Sequence, residues 1–197
     1  MSDKSVDAQI LKLRRKHRQI SCGYNLETDN IFVRDRLIHF HTQVIAQTFE
    51  IMVPDYFEPL SEPDINKRFV SEQPPQAVLA NMSRDESLSF SFFTSESGLS
   101  EEAAQLKSAL STLYPTNTFY EQGVVQSESG PVSWFDYKSP SLRGERYNLL
   151  FLFALSSEQR ALGSFQCHFP DYESWKLCVP AMLQTISPAQ RDVSENR

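Results

Sequence analysis

Asn148-Leu149-Leu150-Phe151-Leu152-Phe153-Ala154-Leu155 is the most apolar stretch of this chain, and it follows the charged run Arg143-Gly144-Glu145-Arg146. A stretch this short with polar flanks cannot cross a bilayer, for which a helix needs about 20 apolar residues. It reads as a strand, with Leu149, Phe151, Phe153 and Leu155 on one face and Leu150, Leu152 and Ala154 on the other. A strand with one wet face alternates apolar and polar residues. This one is apolar on both faces and needs cover on both. Two covering layers imply an α+β fold, an α/β/α sandwich with a largely antiparallel central sheet and flanking helices.

The rest of the chain supplies the pieces. Upstream, Ile31 to Phe40 reads as a short hairpin, and Thr48 to Val53 as a strand with two-residue alternation that Pro54 stops. A helical turn fits residues 60 to 67. Ala77 to Met82 and Ser87 to Phe93 form two strands around the turn Ser83-Arg84-Asp85-Glu86. In the second, Leu88, Phe90 and Phe92 point inward, and Ser87, Ser89 and Ser91 are expected to form an exposed face. Ser100 is the expected N-cap of a helix to Leu113 whose apolar face is Ala103, Leu106, Ala109, Leu110 and Leu113. Strands over 119 to 126, 132 to 137, 146 to 155 and 161 to 169 form an antiparallel meander. A helix over 172 to 186 closes the fold through Trp175, Cys178, Met182 and Leu183, with Pro180 inside it. The two long helices are expected to share one layer. The other is left to the N-terminal helix, the segment after Val53, or a partner.

Composition narrows the classes of function. The 197 residues include 40% hydrophobic and 22% charged side chains, which suits one globular domain. We read residues 1–25 as an N-terminal helix and linker, 26–187 as a single α+β sandwich domain, and 188–197 as a frayed tail. The net charge of -6 argues against nucleic acid as a partner. The basic cluster Lys12 to Arg18 suits the last turn of the first helix, or an arm that touches an acidic partner. Three cysteines without a CxxC pair fit a reducing compartment, and the polar N-terminus lacks a secretory signal; a cytoplasmic location without membrane insertion is expected.

No assembled catalytic set is visible. Phosphate loops and a GxSxG elbow are absent, and Cys167 and His168, adjacent on a strand, point to opposite faces. His39 and His41 lie at i and i+2, a spacing that can share a metal, though a third ligand must come from elsewhere; the simpler reading is two solvated side chains. No cofactor is expected. The aromatic residues carry the more distinctive signal. Tyr56, Phe57, Trp134, Phe135 and Tyr137 are candidates for binding a partner, since such side chains are favoured at interfaces, and core packing is the plain alternative. Trp134 and Phe135 are neighbours on a strand, so they face opposite sides.

The order of elements from "FEIMVPDYFEPL" (residues 49–60) through "LSFSF" (residues 88–92), the helix to Leu113, the meander and the Trp175 helix resembles the PsbP-like α/β/α sandwich. Within that superfamily it is nearest in style to the Eag-type chaperones of type VI secretion. The resemblance covers roughly residues 48 to 186 and implies a non-enzymatic binding domain. It carries no individual functional residue across. The expected function is therefore an adaptor or chaperone-like protein-binding module of bacterial type, acting on a protein partner or by self-association through the sheet face. The alternative is a small metal- or ligand-binding enzyme with a cleft near His39, His41 and the Tyr56-Phe57 loop.

Overall fold

The structure, a computed structural model, describes residues 24–33, 36–69, 71–81, 83–142 and 144–189. The helix expected over residues 5 to 18, with its basic cluster, lies outside the described residues. So do Cys22 and the tail beyond residue 189. The described chain begins with the short hairpin β1 (Ile31–Val33) and β2 (Arg36–Ile38), then the longer hairpin β3 (Phe40–Ile45) and β4 (Phe49–Pro54). β5 (Glu58–Pro59), α1 (Glu62–Arg68), β6 (Ala77–Asn81), β7 (Glu86–Thr94) and α2 (Leu99–Leu113) follow. The meander is β8 (Thr118–Ser127), β9 (Gly130–Ser141), β10 (Gly144–Ala154) and β11 (Gln159–His168), and the chain closes with α3 (Tyr172–Gln184) and β12 (Ser187–Pro188).

Seven strands form the central antiparallel sheet in the order β5-β6-β7-β11-β10-β9-β8, with β10 between two long neighbours. Its odd-numbered side chains, Tyr147 through Phe153, are fully buried against α3 and the small sheet β12-β4-β3. Trp175 of α3 lies 4.7 Å from Phe165, and Phe49 of β4 lies 5.0 Å from Phe153, edge to face. Each such ring, moved from water to this interior, contributes roughly 1.5–3 kcal/mol. α3 runs through Pro180 and buries Trp175, Cys178, Val179, Met182 and Leu183 completely.

The even-numbered side chains of β10 face the opposite way. There α2 sets Leu106 and Leu110 against Phe135, Tyr137 and Leu150, while α1 sets Ile65 against Val78 and Ala80 of β6. The two long helices thus lie on opposite faces, not in one layer. The reason is which apolar rows they meet: α3 meets the Phe165 row of the sheet, and α2 meets the Phe135–Leu150 row. The segment after Val53 contributes α1 to the second layer, as one of the sequence alternatives allowed.

Several local expectations are corrected. Gly98, not Ser100, is the N-cap of α2. Ser87 and Ser89 are buried rather than exposed: Arg68 of α1 reaches across to the Ser87 hydroxyl, and the Ser89 hydroxyl donates to the Ser164 carbonyl of β11. Glu86, expected in a turn, pairs with Asn81 as the first residue of β7 and is buried. The turn before it holds Asp85 at φ 56°, a left-handed conformation that needs support in a residue with a side chain. Arg68 and Arg146 grip the Asp85 carboxylate at 3.1 and 3.0 Å, and Arg146 also donates to the Asp85 carbonyl. This clamp fastens α1 to β10 and β7.

Buried Asp136 performs a similar task at the sheet edge. β8 shifts register between Phe119 and Gln122, which leaves the Glu121 N–H without its ladder partner. That N–H donates to Asp136 at 2.7 Å, and the Tyr147 hydroxyl donates to the other oxygen at 3.0 Å. Burial nevertheless pushes the Asp136 carboxyl above the ordinary carboxylate range.

Gly163 faces Phe151 across the β10–β11 pair, and a Cβ there would lie 2.0 Å from the tip of that ring. Phe151 is itself held by Phe90 and Phe153. Gly163→Ala is expected to cost about 1–3 kcal/mol through overpacking, read as a lower urea midpoint at unchanged slope.

Candidate functional site

Among the described residues, the second layer does not close over the whole sheet. α1 covers β6 and α2 covers β9 and β10, and between them runs a strip of β7 and β11. Its side chains Ser91, Ser164, Gln166 and Leu162 are only half-buried, and Phe93 is 38% exposed. None of the 15 residues of α2 is buried, and Leu113 at its end is 69% exposed. A helix whose apolar face is this open sits on the sheet without sealing it.

Between α2 and the strip lies a cleft of about 420 Å³. Leu152, Leu162 and Phe93 form its floor, Leu106 and Ala109 its helical wall, and Ser95, Ser97, Glu102 and Gln105 its polar end. The polar end is fixed by Arg160, whose guanidinium donates to the Ser156 carbonyl at 3.0 Å and lies 3.8 Å from the Glu102 carboxylate. Ser95 N–H donates to the Glu158 carbonyl, which ties the β7–α2 loop to the β10–β11 turn. Glu102 being engaged by Arg160, the lining can bury an apolar group and hydrogen-bond a polar neighbour. It presents no paired nucleophile and base.

The sequence candidates fall elsewhere. His39 lies between β2 and β3, not on one strand with His41, because Ile38 turns into the core of the small hairpin before Phe40 starts the pairing with β4. Both imidazoles are exposed, with His41 3.4 Å from the Gln43 amide oxygen. Among the described residues no group of three or more His, Cys, Asp or Glu could hold a metal ion. The His39 carbonyl does accept from Asp55, which brings it beside the Tyr56-Phe57 loop. The cleft described above lies on the other side of the sheet.

Trp134 and Phe135 face opposite sides as expected, Trp134 against the main core and Phe135 beneath α2. Phe57 and Phe135 are buried, and so is Tyr137, whose hydroxyl is pushed up to about 12 by burial. Cys167 and Cys178 are core residues, and burial raises the Cys178 thiol to about 12. Tyr56 is half-buried, with the Arg84 guanidinium 5.4 Å from its ring centre. Of the cleft residues, the sequence marks Leu106 only as part of the helix's apolar face, and Phe93 and Leu162 only as strand positions. The available signal was the doublet Phe92-Phe93, since only one of two adjacent strand residues can enter the main core.

The geometry so described matches known folds but not known sequences. No family model matches the chain, and no characterised protein sequence does. Among solved structures it is similar to the cyanobacterial PsbP of Synechocystis sp. PCC 6803, at 10% identity and a TM-score of 0.56, covering 76% of this chain and 92% of that one. The fold is PsbP-like. The Ran-binding protein Mog1p of Saccharomyces cerevisiae matches at 13% identity and a TM-score of 0.52, over 78% of this chain and 97% of that one. LpqN of Mycobacterium tuberculosis, involved in cell envelope biogenesis, matches at 13% identity and a TM-score of 0.50, over 79% and 95%. Among the described residues no helix is long and apolar enough to cross a membrane.

One buried acid sits close to the Tyr56 loop. Glu86 is 1% exposed, with Arg84 3.9 Å from its carboxylate and the Tyr56 hydroxyl and Trp175 indole turned toward it. Burial dominates and raises its pKa. A carboxyl raised in the folded state binds its proton more tightly there than in the unfolded chain. Its contribution is therefore largest at low pH and fades as pH rises past the ordinary range near about 4.3. Glu86→Gln should gain stability relative to the native chain as pH increases from about 4 to 7, measured by denaturant unfolding across that range. A constant difference between the two would refute it.

Proposed function

We propose that this chain is a non-enzymatic protein-binding module, adaptor or chaperone-like and of bacterial type, which docks its partner at the cleft between α2 and the central sheet. The observation that carries the reading is α2 itself, a 15-residue helix with no buried residue over a floor of Phe93, Leu152 and Leu162. An open apolar cleft with a polar end suits an inserted side chain from a partner, where interface energy concentrates in a few buried anchors. The likeness in fold to Mog1p, which binds Ran, supports protein recognition as a use of this architecture. Buried cysteine thiols support a reducing compartment, and we place the protein in the cytoplasm. The exposed positions of His39 and His41 give the enzymatic alternative no comparable support.

The aromatic residues read as partner-binding from the sequence enter this proposal in a narrower way. Phe135 and Tyr137 support α2 from below, so they shape the docking surface without forming it.

The full chain, used as bait in its native host, should retain a partner in stoichiometric amount. Phe93→Asp and Leu106→Asp should each lower that capture by about tenfold or more, as expected for anchors at the centre of an interface. Phe93 is already partly exposed, so its variant should keep the native circular dichroism and melting temperature. Undiminished capture by both folded variants would overturn the cleft as the docking surface. Light scattering on the same samples distinguishes a second copy of this chain from a different protein.

A further inference from the structure

β11 is the middle strand of the seven, yet among the described residues only one of its faces is closed. Gly163, Phe165 and Cys167 are buried in the main core, whereas Leu162, Ser164, Gln166 and His168 on the other face are all half-buried. α1 and α2 flank this row without closing it. From Leu162 to His168 the row runs straight along the strand for about 20 Å, at roughly 3.4 Å per residue.

The two ends of the row differ in charge. At the Leu162 end Glu96, Glu101 and Glu158 are exposed around the cleft, and the basic side chain there, Arg160, is buried and committed to Glu102 and loop carbonyls. At the His168 end two guanidiniums and an imidazole converge on one carboxylate: Arg146, Arg68 and His168 lie 3.0, 3.1 and 4.0 Å from Asp85. Two guanidiniums against one carboxylate leave this end positive. Arg146 carries more N–H donors than its two bonds to Asp85 use. Between the ends, Ser91, Ser164 and Gln166 offer hydrogen bonds without charge.

We propose that the partner lays an extended segment along β11 in one electrostatic order, with an apolar anchor and basic neighbours at the cleft and an acidic group about 20 Å away beside Arg146 and His168. An extended chain shares the two-residue repeat of the row beneath it, so its polar groups meet Ser164 and Gln166 in register. An acyl chain gains nothing over serine and glutamine side chains. A segment with its charges exchanged meets like charge at each end. The inference rests on reading the cleft as a docking site and adds the chemistry and order of its occupant.

The test uses the full chain and labelled synthetic peptides, read by fluorescence anisotropy. One decapeptide carries two lysines, a phenylalanine, five alternating threonines and serines, and two aspartates, in that order. A second exchanges the lysines with the aspartates, and each is also made in reverse, which separates charge order from chain direction. At about 0.01 M salt the Debye length of about 30 Å exceeds the row. There the better peptide with lysines beside the phenylalanine should bind about tenfold tighter than either peptide with aspartates beside it. The difference should vanish near about 1 M salt, where the Debye length is about 3 Å. Glu96→Lys, Glu158→Lys and His168→Glu combined should reverse the preference, with circular dichroism showing the native fold. The comparison on the native chain decides alone if that variant does not fold.

Equal affinity for both charge orders, or preference for aspartates beside the anchor, overturns the inference. So does the lack of saturable binding by all four peptides up to about 1 mM. If it fails while Phe93→Asp still lowers partner capture, the charge order is wrong and the docking site stands. If Phe93→Asp also has no effect, both are wrong.

Discussion

β10 imposes the constraint on which the rest of the structure depends. Its Tyr147, Leu149, Phe151 and Phe153 are fully buried on one face, and Asn148, Leu150 and Leu152 are nearly so on the other. A strand buried on both faces cannot sit at an edge or on a wet sheet, so it takes a position deep in the sheet, between β9 and β11. Every other element is then placed by which face of β10 it serves. α3 and the β12-β4-β3 sheet serve the odd-numbered face, and α1 and α2 serve the even-numbered one.

The two covers differ in quality, and the difference has a physical origin. The odd-numbered face presents large rings, with Phe151, Phe90 and Phe49 meeting edge to face, Phe165 set against Trp175, and Gly163 making room for Phe151. Such a surface is closed by a helix that presents Trp175 and Met182, all of it apolar. The even-numbered face becomes progressively smaller and more polar from β9 to β7, running from Phe135 through Leu150 and Ser164 to Ser89. A helix gains little by lying over serines. α2 therefore stays over the aromatic end, α1 is held at the far end by the Asp85 clamp, and no other described element covers the strip between them.

This asymmetry also explains what could be read from the sequence. The doubly apolar stretch and the Leu88-Phe90-Phe92 alternation are local patterns, and they gave the sandwich and its central strands. The strand β3 was missed because its turn to β4 is made by Ala46 and Gln47, both with positive φ, where turn chemistry favours Gly, Asn or Asp. Ser87 and Glu86 were misplaced because their burial comes from distant residues, Arg68 and Trp175, that no local pattern announces. The cleft was illegible for the same reason. Its floor comes from β7, β10 and β11 and its wall from α2, and each residue alone looks like ordinary core.

A cleft of this kind sits at the junction of two demands. The stability of the domain is concentrated on the odd-numbered face, where α3 buries Trp175, Cys178, Val179, Met182 and Leu183 completely. Removing α2 from its bed would expose Phe135 and Leu150 but leave that core intact, so movement of α2 is the least costly way for the fold to admit another apolar group. The polar end works against such movement, since Arg160 ties Glu102 of α2 to the β10–β11 turn and to the loop before the helix. The helix is thus anchored at its N-terminal end and free of buried contacts at Leu113.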